Sequence, residues 1–338
     1  EFLDEAKEKG AVVALVNEIN KDFDLQQIQV KDTIESIKRV AVKWRQNFDI
    51  PIVAITGSNG KTSSKDLLVH ILSENFEVHA TKGNFNTAIG LCFTLFGLQP
   101  HHDLAIVEIG ASMPGEIKNL CSIALPTHGL ITNIAPAHLE GFGSIENIAR
   151  EKGDLFRALN DGISFVNMAD DHISKINIKG EKISFGLTPD CNFPADIFQE
   201  EDGTLTLILN THEIKTNSQN FSFLKNCIAA SAIAITLGVK AETLNNQLRS
   251  FTPPKGRCFV SQKNNITIID DTYNANLTSA FAALDYLNAF SNEGRKIFVF
   301  GDMLELGNES EMQHAQIGIK CSNLKIDYVY TIGDQTTF

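Results

Sequence analysis

The sequence predicts an α/β protein built on a mostly parallel β-sheet that carries a phosphate-binding loop. Three observations support this fold class. The run IPIVAIT (50–56) is continuously apolar and rich in β-branched residues, a glycine-rich segment follows it, and further apolar runs alternate with helical patterns. Strands of a parallel sheet are apolar throughout because helices cover both faces. With 338 residues, the chain is long enough for two or three domains.

Helix and strand patterns follow in order along the chain. Residues 32–45 predict a helix that begins with a capping box of Asp32 and Glu35. After the 50–56 strand and its loop, the spacing of the leucines and isoleucines at 67–72 predicts a helix with one apolar side. More strands are predicted at 103–109, 128–134, 163–167, 204–210 and 266–270, with a helix at 224–237 between the last two.

A polar, turn-rich stretch, SNEGR (291–295), precedes a new strand in KIFVFGDM and predicts a domain boundary. We therefore divide the chain into the end of an N-terminal domain with a linker helix (1–48), a central domain (49–292) and the start of a C-terminal domain (293–338). Only about 45 residues follow the boundary, too few for an α/β domain of ordinary size. We expect both terminal domains to be incomplete in this chain.

Composition excludes several classes of protein. The net charge of −12 argues against a nucleic-acid-binding protein, which needs a basic face. No apolar run reaches the roughly 20 residues needed to cross a bilayer, and the acidic start EFLDEAKEKG does not resemble a signal peptide. The six cysteines form no C-x-x-C pair, which is typical of a reducing cytoplasm. We expect a cytoplasmic, monomeric protein that binds no nucleic acid.

The segment TGSNGKT (56–62) is shorter than the usual phosphate-binding loop. That pattern, G-x-x-x-x-G-K-[ST], has four residues between its glycines, whereas only Ser58 and Asn59 separate Gly57 from Gly60. The alternative is a tight turn that happens to contain Gly-Lys-Thr. The strand before the segment and the helix after it favour a loop whose N–H groups hold phosphate, with Lys61 on the outer phosphates and Thr62 on Mg²⁺.

Two further polar residues lie at or after the carboxyl ends of predicted strands. Glu108 lies near the carboxyl end of the 103–109 strand, where open α/β sheets bind their ligands, and could ligate Mg²⁺. The alternative is an acid that caps a turn. His138 lies in a loop bounded by proline and glycine, although a lone histidine is more often structural than catalytic.

A lysine lies on the apolar face of the helix that follows. Ile148 and Phe156 mark that face, and Lys152 falls between them, whereas Arg150, Glu151, Asp154 and Arg157 lie mostly elsewhere. An inward lysine is costly unless something pairs with it. Periodicity alone slightly favours the alternative, in which the chain extends to solvent.

A second loop rich in polar residues follows the 266–270 strand. Asp271 could hold ribose hydroxyls, or it could cap the next helix. Arg257, in PPKGRC, is a candidate for phosphate contact.

Together these segments resemble the Mur ligase family of ATP-dependent amide-forming enzymes, over nearly the whole chain. The short loop matches the family's T-G-x-N-G-K-T, and the segments that are typical of one member are GNFNTAIG (83–90), PAHLEGFGS (136–144), DDTYNAN (270–276) and GDMLELG (301–307). The resemblance implies a three-domain architecture. It also implies that UDP-MurNAc-tripeptide and D-Ala-D-Ala are joined through an acyl phosphate, with ATP and Mg²⁺.

The resemblance also implies roles for individual residues. Thr62, Glu108 and His138 would place Mg²⁺, and Lys152 would be carbamylated and help hold a second Mg²⁺. Asn84, Asn86 and Thr87 would meet the UDP-peptide. The positions that would contact ATP, with Thr62 serving both ATP and Mg²⁺, are Gly57, Ser58, Asn59, Gly60, Lys61, Thr62, Ser63, Asn226, Arg257 and Asp271.

Two other functions stay open at this stage. One is a sister ligase that adds a different amino acid or acts on folate, against which PAHLEGFGS and DDTYNAN argue. The other is a nucleotide-binding module without catalysis. The combination of Lys61, Glu108, His138 and Lys152 argues against it.

Overall fold

A computed structural model describes residues 2–290 and 294–337. Its strands are β1 (Val13–Val16), β2 (Gln26–Gln29), β3 (Ile52–Thr56), β4 (Val78–Ala80), β5 (Leu104–Glu108), β6 (His128–Ile131), β7 (Ile163–Asn167), β8 (Glu181–Gly186), β9 (Phe193–Gln199), β10 (Leu205–Leu209), β11 (His212–Lys215), β12 (Phe259–Lys263), β13 (Ile266–Asp270), β14 (Ile297–Gly301) and β15 (Tyr328–Ile332).

The α-helices surround these strands. They are α1 (Leu3–Glu8), α2 (Thr33–Arg45), α3 (Lys61–Leu72), α4 (Ala88–Phe96), α5 (Glu116–Ala124), α6 (Leu139–Phe142), α7 (Ile145–Ala158), α8 (Asp171–Ser174), α9 (Phe221–Thr236), α10 (Ala241–Ser250), α11 (Leu277–Ala289) and α12 (Ser310–Asn323). No helix within the described residues is long and apolar enough to cross a membrane.

A nine-stranded sheet forms the centre, in the order β11-β10-β9-β8-β7-β6-β3-β5-β4. The seven strands from β3 to β9 pair in parallel, and β10 and β11 add an antiparallel edge. The predicted mostly parallel sheet is therefore confirmed. The strands β3 and β5 are buried at every position, as their continuous apolar runs predicted.

Helices cover both faces of this sheet. One face packs against α3, α9 and α10, and the other against α2, α4, α5 and α7. The helix predicted at 32–45 is α2, and the Asp32 side chain accepts a hydrogen bond from the Glu35 N–H at its start. Since β3 lies between β5 and β6, the residues that follow these three strands come together at one edge.

A third, smaller core lies towards the end of the chain. It joins residues of α11 to residues of β14 and α12. The strand predicted at 266–270 does not enter the central sheet but forms an antiparallel pair with β12. The predicted boundary at residue 293 stays a prediction, and the third core draws on residues from both sides of it.

Candidate active site

The loop between β3 and α3 is tight, and two of its positions require glycine. Gly57 and Gly60 have φ angles of +149° and +79°. A Cβ at Gly57 would lie 1.9 Å from the Thr132 Oγ1, and one at Gly60 would lie 2.9 Å from the Asn226 Oδ1. A larger residue at Gly57 would therefore collide with Thr132, and at Gly60 the left-handed backbone conformation disfavours any residue other than glycine. The short loop is a defined structure.

Side chains and backbone after β6 hold the loop in place. The Ser58 hydroxyl donates to the Ala135 carbonyl oxygen at 2.8 Å, and the Ser58 N–H donates to the Asn133 carbonyl oxygen at 3.0 Å. The Asn59 N–H donates to the Asn133 Oδ1 at 2.9 Å. These bonds present the N-terminus of α3, which begins at Lys61, to the edge of the sheet.

Lys61 lies over this loop. Its Nζ donates to the carbonyl oxygens of Gly57, at 2.8 Å, and Ser58, at 3.3 Å. Burial lowers the pKa of Lys61, the Glu108 carboxylate opposes that shift, and the Arg257 guanidinium adds to it. A lysine at a helix N-terminus is a device for binding phosphate anions.

Glu108 ends β5 beside the loop, and it is only 2% exposed. Its Oε1 accepts a hydrogen bond from the Asn86 Nδ2 at 3.0 Å, but within the described residues its buried Oε2 has no hydrogen-bond partner. Native proteins rarely leave a buried carboxylate oxygen unpaired, and a hard cation would satisfy it. Glu108 therefore fits a role as a ligand for Mg²⁺ better than a role as a turn cap.

A cavity of about 330 Å³ brings together five of the predicted metal and substrate residues. Thr62, Glu108 and His138 line it, as do Asn86 and Thr87, whereas Asn84 is exposed and is not among the lining residues. His138 has a φ of 52°, and its Nδ1 pairs with the Glu305 carboxylate. No three His, Cys, Asp or Glu side chains in the described ranges form a metal cluster by themselves.

A larger cavity, of about 1120 Å³, adjoins the other side of the loop. Asn226, Arg257 and Asp271, the predicted nucleotide contacts, all line it. Burial raises the pKa of Asp271, whose Oδ1 accepts a hydrogen bond from the Cys258 N–H at 3.1 Å. Asp271 does not cap α11, because Asn276 does.

Arg257 reaches both cavities. Its Nη2 donates to the Thr62 Oγ1 at 3.2 Å, and its guanidinium lies 3.8 Å from the centre of the Tyr273 ring. Stacking on an aromatic ring holds a guanidinium in one orientation while leaving its N–H groups free to bind an anion.

Lys152 is buried within the packing of α7 and is only 2% exposed, so its amine does not extend to solvent. Burial, with a further contribution from the Lys61 charge and a partial opposition from Glu151, lowers the pKa of Lys152 to about 7. It is not among the residues that line either cavity. Its role in the site stays a prediction.

The position predicted for Glu151 is wrong. Instead of lying away from the apolar face, Glu151 is 5% exposed, and its two carboxylate oxygens accept hydrogen bonds from the N–H groups of Gly115 and Ile117, each at 2.7 Å. Those groups belong to the N-terminus of α5, where four N–H groups have no partner within the helix. Helical periodicity within α7 could not reveal a partner on another helix.

Sequence reasoning also missed residues that complete the site. Tyr273 and Glu305 line the smaller cavity, and the side chains of Asn276 and Asn59 bond to each other through both amide groups. The signal was available for the three missed residues, since Tyr273 and Asn276 lie in DDTYNAN and Glu305 lies in GDMLELG, whereas Asn59 was already predicted to contact ATP. Their partners, however, are distant along the chain.

The fold and the arrangement of the loop beside a buried acid are typical of one class, the α/β enzymes that bind a nucleoside triphosphate at a phosphate loop. Family comparison agrees. The Mur ligase middle domain matches residues 55–234, and the Mur ligase glutamate ligase domain matches residues 256–337.

Individual relatives extend this match over the whole chain. The UDP-N-acetylmuramoyl-tripeptide–D-alanyl-D-alanine ligases of Escherichia coli (strain K12) and Haemophilus influenzae are 35% and 33% identical, over 99% of this chain and 76% and 75% of theirs. A crystal structure of MurF from Acinetobacter baumannii has a TM-score of 0.91 at 31% identity, covering 99% of this chain and 75% of that one. MurF from Thermotoga maritima in complex with ADP has a TM-score of 0.88 at 27% identity, covering 99% and 79%.

The chain belongs to the Mur ligase family. It is accordingly an ATP-dependent, ADP-forming ligase.

Proposed function

We propose that this protein joins D-Ala-D-Ala to UDP-MurNAc-tripeptide, with cleavage of ATP to ADP and phosphate, during the synthesis of peptidoglycan precursors. The relatives that are 33–35% identical over 99% of the chain carry the name of that ligase. The observation that carries the chemistry is the cavity on which Lys61, Thr62, Glu108 and His138 converge. We further propose that the protein acts in the cytoplasm as a monomer.

ATP is needed because a carboxylate does not react with an amine at neutral pH. A carboxylate oxygen of the tripeptide attacks the γ-phosphorus of ATP, and ADP leaves. The amine of D-Ala-D-Ala, once its ammonium form has lost a proton to solvent, attacks the acyl carbon of this acyl phosphate. Phosphate leaves with the bonding electrons, and the nitrogen gives up its extra proton as the amide forms. The first step brings two anions together, so positive groups that offset their repulsion supply much of the catalysis.

The residues of the loop would carry out that first step. Lys61 and the N–H groups at the start of α3 would bind the outer phosphates, and Arg257, held by Tyr273, would orient them. Asn226 and Asp271 would contact the nucleoside in the larger cavity, and Asn86 and Thr87 would contact the UDP-peptide. Both cavities meet at Gly60 and Arg257, as a transfer between two bound substrates requires.

The donor set around Glu108 fits Mg²⁺. The Thr62 hydroxyl and the unpaired Glu108 Oε2 are oxygen ligands, which this ion prefers, and His138 lies on the same cavity. Bound there, the ion would neutralise phosphate charge during transfer.

A further part of this proposal is that the Lys152 amine is converted to a carbamate. Carbamylation requires a neutral amine, and a free lysine at pH 7 is neutral less than about once in a thousand. A lysine with a pKa of about 7 is neutral about half of the time at that pH. The anionic product would suit a second Mg²⁺ beside Lys61.

One assay separates this function from its alternatives. Phosphate release from ATP is measured with UDP-MurNAc-tripeptide and either D-Ala-D-Ala or single amino acids. We expect release that depends on the dipeptide. Release with a single amino acid instead would indicate a sister ligase, and the absence of release with every acceptor would indicate a nucleotide-binding module without catalysis.

A further inference from the structure

Glu305 is the acid that the C-terminal part of the chain contributes to the smaller cavity. It follows β14, whereas the phosphate loop, Glu108 and His138 all belong to the central sheet and its loops. Its carboxylate pairs with the His138 Nδ1, and its carbonyl oxygen accepts a hydrogen bond from the Glu140 N–H at 3.4 Å. The side chain is 55% exposed and so is open to a ligand in the cavity.

The backbone holds Glu305 in an uncommon conformation. Its φ is 61°, in the left-handed region, and its partner His138 also lies there, at 52°. Residues other than glycine rarely adopt this conformation unless their surroundings enforce it, and such residues concentrate at functional sites. Here the two conformations bring a carboxylate from one part of the chain against an imidazole from another.

The charges in the cavity indicate which reactant Glu305 could bind. Lys61 and Arg257 supply positive charge on the side of the phosphate loop. The ATP phosphates and the carboxylate of the tripeptide are anions, which a second carboxylate repels. The ammonium group of the incoming dipeptide is the one cationic organic reactant, and a carboxylate attracts it.

We propose that the Glu305 carboxylate binds the ammonium group of the incoming amino substrate and places it opposite the phosphate loop. The proposal rests on the proposed function, because it assumes an amine acceptor. The contact of Oε2 with His138 orients the carboxylate, and the ammonium group donates a hydrogen bond to the other oxygen, Oε1. Glu305 thereby selects the acceptor by charge.

The test compares an acceptor that binds as a cation with an acceptor that is neutral, in the same enzyme. Glu305→Gln removes the charge at nearly constant shape, Glu305→Asp restores it, and Glu309→Gln is the control, an exposed acid of the same segment. Each variant is assayed with ATP and UDP-MurNAc-tripeptide, once with D-Ala-D-Ala and once with hydroxylamine. Hydroxylamine is neutral at pH 7 and traps the acyl phosphate as a hydroxamate.

For Glu305→Gln we expect the KM for D-Ala-D-Ala to rise about tenfold or more, since a charge-assisted bond is lost. Hydroxamate formation and the KM for ATP should stay within about twofold of the unmodified enzyme, and Glu305→Asp should recover part of the affinity. An unchanged KM for the dipeptide overturns the proposal, and so does an equal loss with hydroxylamine, which would assign Glu305 to the phosphate step. If the unmodified enzyme uses no amine at all, the proposed function itself fails.

Discussion

At the scale of the residue, Lys152 shows how burial can prepare a side chain for chemistry. A lysine that is 2% exposed between Ile148 and Phe156 loses most of its hydration, and its pKa falls to about 7. The charge of Lys61 acts in the same direction. An amine in this environment is a target for CO₂, which an exposed lysine at neutral pH is not.

We expect Lys152→Met, which keeps most of the buried volume, to lower kcat at least about tenfold, as the loss of a group that supports a metal site does. Short carboxylates should restore part of the activity. The protein supplied with ¹³C-bicarbonate should show a carbamate signal by NMR that is absent from the variant. Lys179→Ala, an exposed lysine, serves as the control. Near-normal turnover by Lys152→Met contradicts the carbamate hypothesis.

The adjacent residue, Glu151, has a structural role that can be measured. Replacing it with alanine leaves the N–H groups of Gly115 and Ile117, of which that of Ile117 is buried, without their acceptor. We expect Glu151→Ala to lower the free energy of unfolding by about 2–4 kcal/mol, because hydrogen bonds to a charged group contribute about 1.5–3 kcal/mol each and are not fully additive.

Urea denaturation followed by the fluorescence of Trp44, the single tryptophan, measures this change, since its helix α2 packs against α5. Glu181→Ala, which removes an exposed acid, should stay within about 0.5 kcal/mol of the unmodified protein. Equal stabilities for the two variants would show that the Glu151 bonds add nothing.

At the scale of the element, the start of α11 is tied directly to the phosphate loop. The Asn276 side chain caps α11 by accepting a hydrogen bond from the Ser279 N–H, and its Nδ2 also donates to the Asn59 Oδ1 at 2.6 Å. Since α11 packs with β14 and α12, one asparagine joins the loop to the third core. The short loop therefore affects more than phosphate binding.

Asn276→Ser separates these two roles, because serine caps helices well but is too short to reach Asn59. We expect the cap of α11 to remain in this variant, and its KM for ATP to rise about fivefold, because the loop loses both of its hydrogen bonds to Asn276. Asn276→Ala should show the same kinetic change and lose about a further 1 kcal/mol of stability. Thermal melts measure the stability of each variant, and steady-state kinetics measure its KM for ATP. An unchanged KM for the serine variant would show that the link is dispensable.

At the scale of the whole molecule, the smaller cavity forms where the central sheet meets the segment after β14. The phosphate loop and Glu108 line one part of it, and Glu305 lines another. A site assembled from separate cores depends on their relative position, and enzymes with such sites often close around their substrates.

Nucleotide binding should therefore stabilise the protein as a whole. At about a hundredfold excess over its Kd, a ligand that binds only the folded state adds about 2.7 kcal/mol. We expect ADP with Mg²⁺ to raise the melting temperature by several degrees, and chelation of Mg²⁺ to remove part of the rise. Lys61→Ala should abolish most of it. Differential scanning fluorimetry measures the shift, and an equal shift in Lys61→Ala would place the nucleotide elsewhere.

The sequence by itself determined the local features of this protein. Apolar runs identified β3 and β5, periodicity identified α2, α3 and the buried face of α7, and spacing identified the short phosphate loop. These signals are readable because backbone geometry and burial repeat over a few neighbouring residues.

The tertiary structure alone decided which distant residues meet. Glu151 bonds the start of α5, Asn276 bonds Asn59, and Glu305 pairs with His138, although the last two pairs are separated by 217 and 167 positions. Helical periodicity placed Glu151 away from the buried face of α7, whereas the structure buries it against α5. Such pairings depend on how helices and strands pack, and a periodic pattern within one element carries no information about the element that packs against it.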